Sequence, residues 1–123
     1  MGDRSSWDET TDTSVTTADL LAQIPEKPTQ LELVKGPGAP HKYLLLEKET
    51  VIGREEGVQI QIFSREVSRR HLLIRRDSGE FSCLDLESRN GVFLNGIKIH
   101  SASLKDGDNL QLGDLLFIFH QGH

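Results

Sequence analysis

Residues 68–71 read Ser-Arg-Arg-His, immediately before an apolar run. A hydroxyl, two guanidinium groups and an imidazole within four positions could do three kinds of chemistry. In the first, Ser68 is a nucleophile and His71 its base, which also requires a carboxylate to orient the imidazole and an oxyanion hole. A three-residue spacing in a segment that leads into a strand does not supply that geometry. Nothing places Asp85 as a third member, and no nucleophile elbow is present. The chain is therefore read as no enzyme, with no catalytic residue. The second chemistry is nucleic-acid contact. A net charge of −5 and a pI of about 5.5 argue against it, because such binders carry a basic balance. The third is a seat for an anion.

That seat would draw on three separate segments. Arg54 lies in 53–55 (GRE), Arg65, Ser68, Arg69 and Arg70 in 65–71 (REVSRRH), and Arg89 and Asn90 in 87–91 (ESRNG). The arginine fork and a nearby hydroxyl are the chemistry of a bound phosphate. Scattered, solvated arginines are the alternative, and spacing alone leaves both open. His41, His71, His100, His120 and His123 show no metal-ligand spacing, and residues 105–109 (KDGDN) lack the calcium-loop pattern. Lys42 in 36–42 (GPGAPHK) does not sit in a phosphate-binding loop. No metal and no cofactor are expected.

The elements that must position these residues are strands. With 123 residues there is room for one domain with an adequate core. From Leu31 onward, short apolar runs alternate with turn clusters: 31–34, 42–47, 50–53, 58–63, 71–76, 81–86, 91–99, 109–113 and 115–119. Residues 58–63 (VQIQIF) alternate strictly, and Asn95-Gly96 is a strong hairpin signal. About eleven short strands in an all-β sandwich of two antiparallel sheets are expected, with the functional residues on its loops. Cys83 is the single cysteine, which excludes an intrachain disulfide and suggests a reducing, cytoplasmic setting. There is no signal-peptide pattern and no apolar run long enough to span a membrane. Neither a nucleic-acid nor a membrane partner is expected, and a monomer is.

The set Gly53-Arg54, 68–71 (SRRH) and Asn90-Gly91, followed by 92–96 (VFLNG), resembles the forkhead-associated (FHA) domain over roughly residues 31–120. The resemblance implies a phosphothreonine-peptide-binding module. It implies that Arg54 grips the phosphate and the peptide backbone. It further implies that Ser68 donates its hydroxyl to a phosphate oxygen, that Arg69 adds a phosphate contact, and that Asn90 bonds the peptide main chain with Arg89 beside it. His71 would brace the loops, and Gly53 and Gly91 would serve backbone turns. The family prefers phosphothreonine because its methyl fills a small apolar niche. Arg65 and Glu66 are candidates for reading the residue three positions after the phosphothreonine. Arg70 is read as a solvated residue at a strand start.

Residues 1–29 are rich in Ser, Thr and Asp and end in a Pro-containing linker, so they read as a disordered tail before a domain at 30–121; the regulatory role comes from the resemblance described next. Within them, residues 16–24 could form two helical turns capped by Thr17, marginal alone. Residues 13–21 (TSVTTADLL) resemble the acceptor segment of actinobacterial FHA inhibitors of oxoglutarate dehydrogenase, also described as glycogen-accumulation regulators. There, Ser/Thr protein kinases modify paired threonines, and the modified tail docks in the protein's own FHA pocket. Thr13 matches the second of that pair, Asp12 stands in place of the first, and Thr10 and Thr11 form an earlier pair. The partners implied are a kinase, phosphothreonine-containing proteins and the chain's own tail, with control of 2-oxoglutarate-using enzymes. An FHA adaptor that recruits a phosphorylated partner, the tail being incidental, is the alternative. A flexible linker from Thr13 to Leu31 would span roughly 20–25 Å on average, enough for the tail to return to the domain.

Overall fold

The computed structural model describes residues 27–122. Eleven strands build two sheets among them: β1 (Gln30–Lys35), β2 (His41–Leu44), β3 (Glu49–Gly53), β4 (Ile60–Gln61), β5 (Leu72–Asp77), β6 (Glu80–Asp85), β7 (Val92–Leu94), β8 (Ile97–Ile99), β9 (Ser101–Leu104), β10 (Asn109–Leu112) and β11 (Leu115–His120). One sheet runs β2-β1-β11-β10-β7-β8 and the other β4-β3-β5-β6-β9. This is the expected all-β sandwich. The expected disorder of the tail and the two helical turns at 16–24 lie outside the described residues. No helix here is long and apolar enough to cross a membrane.

Period-two patterning places the core. β11 alternates buried Leu115, Phe117 and Phe119 with half-buried Leu116, Ile118 and His120. β1, paired with it antiparallel, contributes buried Leu31 and Leu33. Ile52, Leu72, Ile74, Phe81 and Cys83 face them from the second sheet, and the rings of Phe81 and Phe119 meet across the core with centroids 5.4 Å apart. Burying each large side chain stabilises the fold by about 1.5–3 kcal/mol. Asn95 and Gly96 both take positive φ, the turn geometry their dipeptide favours, and join β7 to β8.

Two elements differ from the sequence reading. The alternating run at 58–63 yields a strand of only two residues, and β4 pairs parallel to β3, where an antiparallel pairing was expected. A parallel edge strand needs a crossover. Gln59 spends its side-chain carbonyl on the Val51 N–H (2.7 Å), and after Ile62 N–H bonds the Gly53 carbonyl (2.8 Å) the chain turns away. The second difference is β9, a Ser-rich four-residue strand that the apolar runs did not reveal.

The strand directions give the sandwich two distinct poles. The β10–β11 turn at Gly113-Asp114 lies at one of them. Gln30, which starts β1, pairs with His120 at the far end of β11, so the chain enters at the other.

Candidate functional site

Three loops converge at the first pole. Arg54 follows β3, residues 62–71 connect β4 to β5, and residues 86–91 connect β6 to β7. Val67 is fully buried and anchors the middle loop to the core. The same loop is held from outside: Ser64 Oγ donates to Asp114 Oδ1 (2.9 Å) and accepts from the Glu66 N–H (3.2 Å). Gly113, at φ +59°, lies so close to Glu66 that a Cβ there would come within 2.6 Å of the glutamate Cβ.

His71 joins the loops from within. It is completely buried; its Nδ1 accepts from the Ser68 N–H (3.0 Å) and its Nε2 lies 2.8 Å from the Gly91 carbonyl oxygen. Because Nδ1 accepts, the proton resides on Nε2, which donates to Gly91. Burial pushes the imidazole pKa below its ordinary value, against the opposing influences of the Gly91 carbonyl and the Asp85 charge. With both ring nitrogens committed, His71 has no lone pair for the Ser68 hydroxyl. A serine–histidine relay is excluded on that geometry.

The third loop is shaped by its own side chains. Asp85 Oδ1 accepts from the Ser88 N–H (3.1 Å), and Ser88 Oγ accepts from the Gly91 N–H (2.9 Å). Gly91 has a φ of +82°, a turn conformation that suits glycine. Gly53 differs from the expectation of a turn role. Its constraint is a close approach, since a Cβ there would strike the Arg69 carbonyl oxygen and crowd Arg70 Cα at 3.0 Å. That contact lets Arg54 N–H bond the Ser68 carbonyl and Glu55 N–H the Arg69 carbonyl, each at 3.0 Å.

The result is a shallow cavity of about 120 Å³ between Arg54, Arg65, Glu66, Ser68, Arg69 and Arg89, floored by Val67. Four arginines and one glutamate line it, in a chain whose net charge is −5. The dominant positive sign favours an incoming anion. Arg54 Nε donates to the Val67 carbonyl (3.0 Å), which orients the guanidinium. Among the described residues, its terminal Nη atoms make no hydrogen bond. Ser68 Oγ accepts from the Arg89 N–H (3.0 Å) and so keeps its own proton to donate. Asn90 Nδ2 donates to the Glu66 carbonyl (2.8 Å), which ties the third loop to the middle one, and its amide oxygen makes no hydrogen bond among the described residues.

Arg54, Ser68, Arg69, Arg89 and Asn90 thus come together, with Gly53, His71 and Gly91 beneath them. Arg65 and Glu66 both line the cavity, whereas Arg70 is exposed and does not. Thr10, Thr11 and Thr13 lie outside the described residues. The sequence reading missed Ser64, Val67, Ser88, Gly113 and Asp114, and the part Asp85 plays, all of which hold the loops.

The FHA domain model matches residues 50–113, which include all three loops. The chain belongs to the FHA family, a phosphothreonine-binding family. The chain is 34% identical over 99 residues to the glycogen accumulation regulator GarA of Mycolicibacterium smegmatis, covering 80% of this chain and 63% of that protein. It is 31% identical over 126 residues to an oxoglutarate dehydrogenase inhibitor of Corynebacterium jeikeium, covering 89% and 88% respectively. Among solved structures, an FHA domain studied for phosphothreonine-dependent interactions superposes with a TM-score of 0.69 at 35% identity, covering 75% of this chain and 94% of that one. Mycobacterium tuberculosis EmbR, solved with a low-affinity phosphopeptide, gives 0.73 at 28% identity, covering 86% and 29%.

Proposed function

We propose that this FHA protein is a non-catalytic phosphothreonine-peptide receptor whose pocket is the four-arginine cavity. The observation that carries this reading is the pairing of an oriented Arg54 fork with a Ser68 hydroxyl whose proton is available, above a loop frame clamped by His71. In this reading Arg54, Ser68 and Arg69 hold the phosphate, while Asn90 and Arg89 hold the peptide main chain. Titration of the chain with a phosphothreonine peptide and its phosphoserine and unmodified counterparts tests it. Preferential binding of the phosphothreonine form, lost in Arg54→Ala, is expected; equal binding of the unmodified peptide overturns it.

The pocket is in turn switched by the chain's own N-terminal segment. A Ser/Thr kinase modifies the Thr13 region, the phosphothreonine occupies the cavity, and partners are displaced. Two observations support the switch: the likeness to the inhibitor and regulator relatives, and the reach of the chain. Thr13 stands fourteen positions before Lys27, an extended span of up to about 50 Å. The strands to be passed are about 20 Å long. By the same likeness, the partners controlled are 2-oxoglutarate-using enzymes. Kinase treatment should shift the NMR resonances of Arg54, Ser68 and Asn90 with no added peptide; shifts confined to residues 1–26 overturn the switch and leave the receptor reading standing.

A further inference from the structure

The pole opposite the arginines carries a groove of about 320 Å³ walled by Pro28, Thr29, Leu45, Leu46, Phe81 and Gly122. Leu46 leaves 63% of its surface exposed there, a large apolar side chain with no cover among the described residues. The walls are fixed. Arg76 Nη2 donates to the Leu46 carbonyl (2.9 Å), Leu45 N–H to the Thr29 carbonyl (3.0 Å), and Gly122 N–H to Thr29 Oγ1 (2.9 Å). Residues 27–29 pass Gly122 so closely that a Cβ there would strike the Lys27 carbonyl oxygen. The chain preceding Lys27 therefore emerges at the rim of the groove.

What precedes it suits that groove. Leu20, Leu21 and Ile24 are large apolar residues in an otherwise polar stretch, and Ile24 is four positions before Pro28. Four residues reach at most about 14 Å. In a helical turn, spacings of one and four would put the three side chains on one face. A short tether supplies an effective concentration on the order of millimolar, so even weak intrinsic affinity fills the groove.

We propose that Leu20, Leu21 and Ile24 of the same chain dock in the Leu45–Leu46–Phe81 groove. This docking needs no phosphate and stands apart from the receptor and switch readings above. Its consequence is positional. Thr13 lies seven positions before Leu20, so a docked segment holds it within about 25 Å of the pole away from the arginines.

A nitroxide on Ala22→Cys in the full, unphosphorylated chain tests this. On helical spacing position 22 would fall off the face of Leu20, Leu21 and Ile24, and Cys83 is 2% exposed with its thiol pushed up by burial to about 11, so the label goes to one site. Amide signals of Leu46, Gly79 and Gln121 should be at least halved, those of Arg54, Ser68 and Asn90 should persist, and Leu46→Asp or Leu21→Asp should restore the lost intensity. Unchanged signals, uniform broadening, or broadening at the arginine pole overturns the proposal. So does equal broadening when the labelled chain is mixed with a separate isotope-labelled, nitroxide-free chain, because the groove would then be serving a second copy.

Discussion

The two poles of this sandwich are built by different means. At the arginine pole, charged loops are held in place by a buried imidazole, two serine hydroxyls and side chains of Asp85 and Asp114. At the entry pole, the backbone segments 27–29, 45–46 and 121–122 pack on each other around Phe81 and leave an apolar trough. Hydrogen bonds are directional and fix donors to a fraction of an ångström. Apolar packing is non-directional and accepts any partner of suitable shape. One pole is therefore suited to recognising one chemical group, the other to holding a segment with little demand on its sequence.

The largest expected effect is at His71. Replacing it by Ala leaves the Ser68 N–H and the Gly91 carbonyl without their partner and opens a cavity, costing about 2–5 kcal/mol in urea unfolding. Peptide binding should be lost with it. A variant as stable as the parent would mean that the loops do not depend on the imidazole. Next is Arg54→Ala or Ser68→Ala, each removing a charge-assisted hydrogen bond worth about 1.5–3 kcal/mol, hence at least tenfold in calorimetric affinity with the fold retained. Gly53→Ala should cost about 1–3 kcal/mol, because the Arg69 carbonyl must move away from the added methyl. At the other pole, Leu46→Ser should change stability by no more than about 0.5 kcal/mol and leave phosphopeptide affinity untouched. A large loss there would erase the distinction between the poles.

The contrast also has a pH signature. Because burial lowers the His71 pKa, the unfolded chain takes up a proton near pH 6.5 that the native state refuses. Stability is thus full above that value and falls as pH drops from it toward the folded pKa. Urea midpoints should be lower at pH 5.5 than at pH 7.5, and the drop should vanish in a His71→Phe variant if that variant folds. Nitrogen-15 NMR of the wild-type ring should report the Nε2–H tautomer at pH 7.5; the Nδ1–H tautomer would contradict the Ser68 contact directly.

Much of the frame was legible because it rests on local rules. The alternation of Leu115, Phe117 and Phe119 and the Asn95-Gly96 turn each follow from a few adjacent residues. β9 and the brevity of β4 were not, since they depend on which strand lies alongside. The same division runs through the site. Arg54, Ser68, Arg69, Arg89 and Asn90 announced themselves by type and by likeness to a family. Ser64 and Asp114, fifty positions apart, meet only because the β10–β11 turn folds over the loop. Gly53 was recognised for the wrong reason: sequence suggests a bend, whereas the need is room for a passing carbonyl. The apolar groove joins a loop after β2 to β6 of the other sheet, and no sequence pattern connects those segments.

The clasp between Gly122 and residues 27–29 has an engineering consequence. It brings the first and last described residues to one place, on the side away from the arginines. Such an arrangement is that of a cassette: the whole domain could be spliced into a host protein's surface loop through two neighbouring joints. The arginine pole would then point outward, and a reporter fused at either joint would leave it unobstructed.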